Sequence, residues 1–334
     1  ETAPNYPIAC AGSLLGIALS GSGSFPVGKV DFLSLYPLNF EEFLMANQEM
    51  MLVRYLHQIH MASSISDAMK IKLINYLRTY YLTGGMPEVV ATWIRTKDWE
   101  EVDRIQQSIL DGYELDFAKH APSKDFPKLT AIWKSIPGQL ARDNSKFIFS
   151  RVKKGWRAKD LEDALGWLEA AGLVYKVCKV ELALTPLSSY ADQLYFKLYM
   201  ADIGLLRRMA GLSVKSIFDP DHGYREFKGA LAENYVLNQL MAQGLNPPYF
   251  WRSGNKAEVD YIVELDGLVI PIEVKAERNV QAKSLAEYRK TFEPEIAVRT
   301  SRRALSDGEV AGIPLYLISM FSQLIRRKRE GQTE

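Results

Sequence analysis

The first apolar stretch, Ile8 to Leu19, has the character of a strand, and the Gly/Ser-rich GSGSFPVG separates it from VDFLSLYPL, whose alternation predicts another. Asn39 then stands where a helix N-cap belongs. Glu42, three residues on, can reach back as in a capping box, and Phe40, Phe43 and Leu44 supply an apolar stripe. Helical periodicity continues to about Phe117. It is broken at YYLTGGMPEVV, where Gly84-Gly85 closes one helix and Pro87 suits the first turn of the next.

From Trp133 the pattern changes. A helix is predicted over Ile136 to Arg142, followed by the basic segment KFIFSRVKKGWRAK and a helix with Leu161, Leu165 and Leu168 on one face; LVYKVCKV and LYFKLYM then read as strands. Helix, helix and two-stranded wing is the winged-helix order. After FDPDHGYREFKG come a helix near Phe227 to Gln243, the strand PYFWR, the hairpin AEVDYIVELDGLVIPIEVKA and a helix over Ala282 to Thr291. The tail RRKREGQTE is expected to fray. The fold class is mixed α/β, in four parts: residues 1–39, a helical connector over 40–130, a winged helix over 131–210, and an α/β sandwich over 211–334.

With 47% hydrophobic and 24% charged residues in 334, the chain has the composition of a globular protein with real cores. Lys and Arg number 41 against 40 Asp and Glu, so any affinity for nucleic acid must come from a local basic patch. Cys10 and Cys178 are far apart and lack His or Cys partners at metal spacing, which argues against a disulfide framework or a zinc site and fits a reducing cytoplasm. His60, His120 and His222 show no paired spacing and read as surface or loop residues. No apolar run is long enough to span a bilayer, and no signal peptide is visible. The start at Glu1, without an initiator Met, is what a piece of a longer chain would look like.

The chemistry concentrates in the hairpin. Asp266-Gly267 suits a type I′ turn, which sets Leu265 opposite Leu268 and, counting outward, Asp260 opposite Glu273 and Glu258 opposite Lys275. Val259, Tyr261 and Val263 then fall opposite Val274, Ile272 and Ile270 on an apolar face that must be buried. Facing carboxylates about 4.5–5.5 Å apart at Cβ repel unless a cation lies between them. A hard divalent ion, Mg²⁺ or Mn²⁺, answers that need, and Lys275 could orient or help deprotonate an attacking water in phosphodiester hydrolysis. The plainer reading makes Asp260 and Glu273 edge charges paired with Lys256 or Lys275.

Acid, hairpin and the Glu-x-Lys of IEVKA resemble the PD-(D/E)xK nuclease superfamily, although no Pro precedes Asp260. The resemblance implies Asp260, Glu273 and Lys275 as catalytic residues. It also implies a metal site of Glu233, Asp260 and Glu273, with Glu233 supplied by the preceding helix in FKGALAENYV. A nuclease-like fold that has lost activity and merely binds is the further alternative.

Taken in order, GSLLG, FPVGKVDFLSLYPLNFEEFL, YYLTGGMPEVV, IWKSIPGQLARDNSKFIFS, ALGWLEAAGLVYKV, KLYMADIGLL, FKGALAENYV, AEVDYIV and IEVKA resemble, over essentially the whole chain, a large prokaryotic family of AAA-type ATPases with a C-terminal domain of unknown function. That resemblance implies that residues 1–39 are a remnant of the ATPase core. Ser13 would be its γ-phosphate sensor, Lys29 would stand where relatives often carry Arg, and ATP would be a ligand only of the intact parent. Gly23 to Lys29 has the spacing of a phosphate loop, but Val30 stands where Ser or Thr must ligate Mg²⁺, and a strand pattern rather than a helix follows.

The remaining candidate is the basic segment. Lys146, Arg151, Lys153, Lys154, Arg157 and Lys159 lie where winged helices commonly meet phosphates, which makes DNA the expected partner. Exposed cations that merely solvate a turn are the equal alternative. The competing functions are a metal-dependent endonuclease governed by an ATPase, and a non-catalytic scaffold that binds DNA or a protein partner.

Overall fold

The computed structural model describes residues 9, 31–142, 145–218, 225–245, 248–254, 257–276 and 283–331. Apart from residue 9, the expected strand at Ile8 to Leu19 lies outside the described residues, as do Cys10, Ser13, Gly23 to Val30, His222 and Lys256.

Residues 31–38, expected as a strand, form none, and they leave Phe32, Leu33 and Leu35 exposed. The end of this segment is anchored: Leu38 N donates to Gly85 O at 2.8 Å, and the Tyr80 hydroxyl donates to Leu38 O. Helix α1 (Phe40–Ala46) starts at the reciprocal Asn39–Glu42 capping box, both bonds 2.8 Å long. Helices α2 (Met50–Gln58), α3 (Asp67–Thr83), α4 (Pro87–Thr96) and α5 (Trp99–His120) follow.

The Gly84-Gly85 stop has a second purpose. Gly84 has φ of 67°, and a Cβ on Gly85 would lie 2.1 Å from Leu38 O. Into this tight corner comes Asp202, which caps helix α9 (Ile203–Met209) through Leu205 N at 2.9 Å and accepts from Gly85 N at 2.6 Å. Burial pushes the Asp202 carboxyl up to about 6 while these amides hold it down. Arg207, on the same helix, is buried against Asp103 and Gln106 of α5.

Helix α6 (Phe126–Leu140) begins well before the expected Ile136 and passes through Pro137, while Leu129, Ile132, Trp133 and Ile136 enter the core. A bridge between Lys146 and Lys197, the short α7 (Phe149–Val152), α8 (Ala158–Ala170), and the pair β1 (Val174–Val180) and β2 (Ala191–Met200) complete a helix, strand, helix, helix, hairpin succession.

That hairpin does not stand apart. After α10 (Val214–Phe218) and α11 (Arg225–Ala242), strand β3 (Tyr249–Ser253) pairs parallel to β1, and β4 (Ala257–Leu265), β5 (Leu268–Val274), β6 (Val298–Ser301) and β7 (Ala311–Pro314) extend one seven-stranded mixed sheet in the order β2-β1-β3-β4-β5-β6-β7. Helix α11 and the main core cover one face, with Tyr235, Tyr261 and Ile272 fully buried. Helix α12 (Lys283–Phe292) covers the other with Leu285 and Tyr288, against Trp251 and Ile262. Residues 326–330 of the tail expected to fray are helical: they complete α13 (Phe321–Glu330), which buries Phe321, Leu324 and Ile325 and whose Arg326 reaches Asp266 in the β4–β5 turn, while residues 332–334 lie outside the described residues. No described helix is long and apolar enough to cross a membrane.

Candidate functional site

Asp266 and Gly267 both have positive φ, 50° and 81°, and the strands pair from Leu265↔Leu268 to Tyr261↔Ile272, the register expected from the turn. Beyond Tyr261 the ladder stops. The cause lies on the other side of β4, where Tyr249 pairs with Ile262 but Trp251 with Val259, so that Asp260 and Tyr261 together oppose Phe250 as a bulge. The bulge changes the alternation. Val259, expected beside Tyr261 and Val263, packs with Ile262 in the second cluster under α12. Asp260 therefore shares the α11 face with Tyr261, and its carboxylate accepts from Val274 N at 2.7 Å where β4 and β5 part.

On that face a buried cation organises the acids. Lys197, 1% exposed, reaches Glu258 at 2.6 Å and Glu233 at 3.4 Å. Tyr199 donates to the same Glu233 carboxylate at 2.6 Å, the Tyr261 hydroxyl donates to Glu233 O, and Arg252 lies 3.4 Å from Glu258. Burial works against the charged form of Lys197, yet the charges of Glu233, Glu258 and Asp260 outweigh it and push its pKa up. Asp260 is pushed up to about 7, by burial first and Glu233 second, against the opposing charges of Lys197 and Lys275. Glu258, expected opposite Lys275, belongs instead to this Lys197 group.

Glu273 sits between Ile272 and Val274, both in the main core, so alternation sends its carboxylate to the α12 face. There its register partner Arg299 donates to it at 2.8 Å and Lys275 lies 3.3 Å away. Glu233 and Asp260 are thus brought together, and Glu273 is held apart with Arg299. Lys275 stands between the two groups, paired to Glu273 and felt by Asp260.

A divalent ion needs several carboxylate oxygens converging on one point. Glu233 is committed to Lys197 and Tyr199, Asp260 to a backbone amide, and Glu273 to Arg299. Among the described residues no three acidic, His or Cys side chains converge closely enough to hold an ion. Each acid is thus held by protein groups in this arrangement, while Glu273 Oε1 is buried without a hydrogen-bond partner. Sequence reasoning missed Lys197, Glu258, Arg252 and Arg299 in this role. The signal for Lys197 was a lysine alternating into the apolar strand LYFKLYM; for Arg299, whose pairing depends on the parallel β5–β6 register, no local signal exists.

In the basic segment Arg151, Lys153, Lys154, Arg157 and Lys159 are all exposed and have no carboxylate partner among the described residues. Lys153 lies over the Trp156 ring at 4.9 Å from its centroid, and Lys146 over Tyr195 at 3.7 Å. The adjoining helix α8 presents the opposite sign, with Glu162 and Asp163 exposed and Asp160 closing its cap on Arg157 N. A helix with that face would meet phosphate repulsion in a major groove.

Residues 74–216 match a family described as "Domain of unknown function (DUF8612)", and residues 228–318 match "Domain of unknown function (DUF4143)". Domains of the second family are commonly found in AAA-ATPase-associated proteins. Uncharacterized proteins of Mycobacterium bovis and Mycobacterium tuberculosis are each 32% identical to the chain over 120 residues, which is 36% of this chain and 23% of each relative. The chain thus spans about a quarter of the length of the curated relatives it matches. No solved structure matches it.

Proposed function

We propose that this chain is the non-catalytic portion of an ATPase-associated protein, a winged helix joined to a nuclease-like sheet that holds duplex DNA by its backbone. The observation that carries this reading is the run of five exposed cations from Arg151 to Lys159 without carboxylate partners among the described residues. Such a run supplies phosphate contacts with little base selection, since Asn and Gln side chains that read base edges are missing from it. The exposed acids of α8 agree, because they keep that helix out of the groove. Fluorescence anisotropy with a labelled 20-mer duplex tests the proposal. Binding should be independent of sequence and should weaken at least tenfold when Lys153, Lys154 and Arg157 become Ala; unchanged binding by that variant refutes the assignment.

Metal-dependent cleavage is the second reading, favoured by one observation: Asp260 is held near pH 7 between Glu233 and Lys275 at the fork of β4 and β5. Perturbed carboxyls of this kind gather at working sites. For cleavage, Glu233 and Glu273 would have to leave Lys197 and Arg299, and Mg²⁺ or Mn²⁺ would then supply the Lewis acid. Calorimetric titration with Mn²⁺ separates the readings. Saturable binding lost in Asp260→Ala supports the enzyme, whereas absence of binding at millimolar Mn²⁺ supports the scaffold.

A further inference from the structure

A cleft open to solvent lies between helix α3, helix α11 and the carboxyl ends of strands β5 and β6, where Ala276 and Ser301 line it. Its walls are mostly hydrocarbon: Leu77, Leu231 and Leu315 are each at most 8% exposed and are fixed by the core behind them. Arg78, Lys228 and Arg302 are its basic residues, and among the described residues no carboxylate or side-chain amide lines it. Arg78 is half-buried and Arg302 exposed, and neither has an acidic partner among the described residues.

These features select a ligand class. Sugars and nucleobases present donors and acceptors on many sides, most of which a described lining with only the hydroxyls of Tyr81, Ser301 and Tyr316 beside its cations would leave unmatched on desolvation. A cationic ligand would meet the like charges of Arg78 and Arg302. A hydrocarbon body with one anionic head satisfies both halves of the cleft, apolar chain on the leucines and head group on the arginines. The carboxyl ends of parallel strands are also where open α/β sheets ordinarily hold small ligands. We propose that this cleft binds an aliphatic carboxylate or alkyl phosphate, in a site separate from both the Lys197 acidic group and the basic segment.

The test is calorimetry and thermal melting of the full chain with decanoate, decyl phosphate and decyltrimethylammonium, each below its micellar concentration. One or both anions should bind at a single site and raise the melting temperature, and the stronger identifies the head group. The cation should do neither. Arg78→Glu together with Arg302→Ala should weaken anion binding at least tenfold, and Leu231→Trp should block it by filling the cleft. Should Leu231→Trp not fold, the arginine variant decides alone, since its positions are not in the core. Binding of the cation as strongly as the anions, binding of neither anion, many-site uptake, or indifference to the arginine variant would each overturn the assignment.

Discussion

Asp260 is the residue whose charge state the fold controls most visibly. Its carboxyl, ordinarily near 3.8, stands at about 7 because burial and Glu233 disfavour ionisation more than Lys197, Lys275 and the Val274 amide favour it. A carboxyl raised on folding contributes stability that is fully present below the unfolded value, near pH 4, and is lost as pH rises through about 7. The protein should therefore melt lower at pH 8 than at pH 5, by an amount worth on the order of a few kcal/mol at most. Asp260→Asn, which keeps an oxygen for the Val274 amide, should be at least as stable as the parent at pH 8 and should flatten the profile above pH 6. Asp202, pushed up to about 6, leaves a residual slope below that. A variant that keeps the full slope up to pH 8 would show that Asp260 is not its source.

Lys197 sets the opposite case. Removing one partner of a buried ion group strands the others, at a cost of roughly 3–5 kcal/mol. Lys197→Met should lose stability of that order in urea melts, because Glu233 and Glu258 are left facing each other. Adding Glu258→Gln should restore part of it, and strict additivity of the two losses would mean that the pair does not interact.

At the scale of elements, what the sequence made legible were devices contained within a few residues. The Asn39–Glu42 cap, the Gly84-Gly85 stop and the Asp266-Gly267 turn stand where local chemistry places them. The bulge at Asp260 and Tyr261 was invisible because it arises from pairing with β3, a strand whose register no turn near Asp260 dictates. It is the feature that separates Asp260 from Glu273, so the site was less legible than the hairpin carrying it. Residues 326–330 differ from expectation for another reason: their charges suggested fraying, while Phe321, Leu324 and Ile325 just before them, at helical spacing, anchor the helix they extend.

The corner between α3 and α9 gives an element-level prediction. A Cβ on Gly204 would lie 2.4 Å from Thr83 O and one on Gly85 2.1 Å from Leu38 O, both backbone atoms that cannot swing aside. Gly112, inside α5, would meet nothing within 4 Å. Gly85→Ala and Gly204→Ala should each be destabilised by roughly 2 kcal/mol or more through overpacking, whereas Gly112→Ala should be stabilised by about 0.5–1 kcal/mol through helix propensity. Urea midpoints measure all three, and a tolerated Gly85→Ala would mean that the Leu38 segment is free to move.

At the scale of the whole molecule the decisive fact is that charge is nearly balanced in sum, 41 basic against 40 acidic residues, yet is segregated locally. Attraction to a polyanion must then come from the Arg151–Lys159 cations working against the neighbouring acids of α8, rather than from a field of the whole surface. Two consequences follow that a merely solvated turn would not show. Binding to duplex DNA should fall with salt, and removing Lys153, Lys154 and Arg157 should reduce the slope of log K against log salt by up to about three, close to one released counterion per cation. Neutralising the exposed acids, Glu162→Gln with Asp163→Asn, should instead strengthen binding by a few-fold at low salt while leaving that slope nearly unchanged, because repulsion is relieved without adding a phosphate contact. Asp160 is left alone in this variant, since its carboxylate caps α8 through Arg157 N. If the acid-neutralised protein bound DNA no better than the parent, α8 would face away from the duplex and the basic loop would have to be reached from its other side.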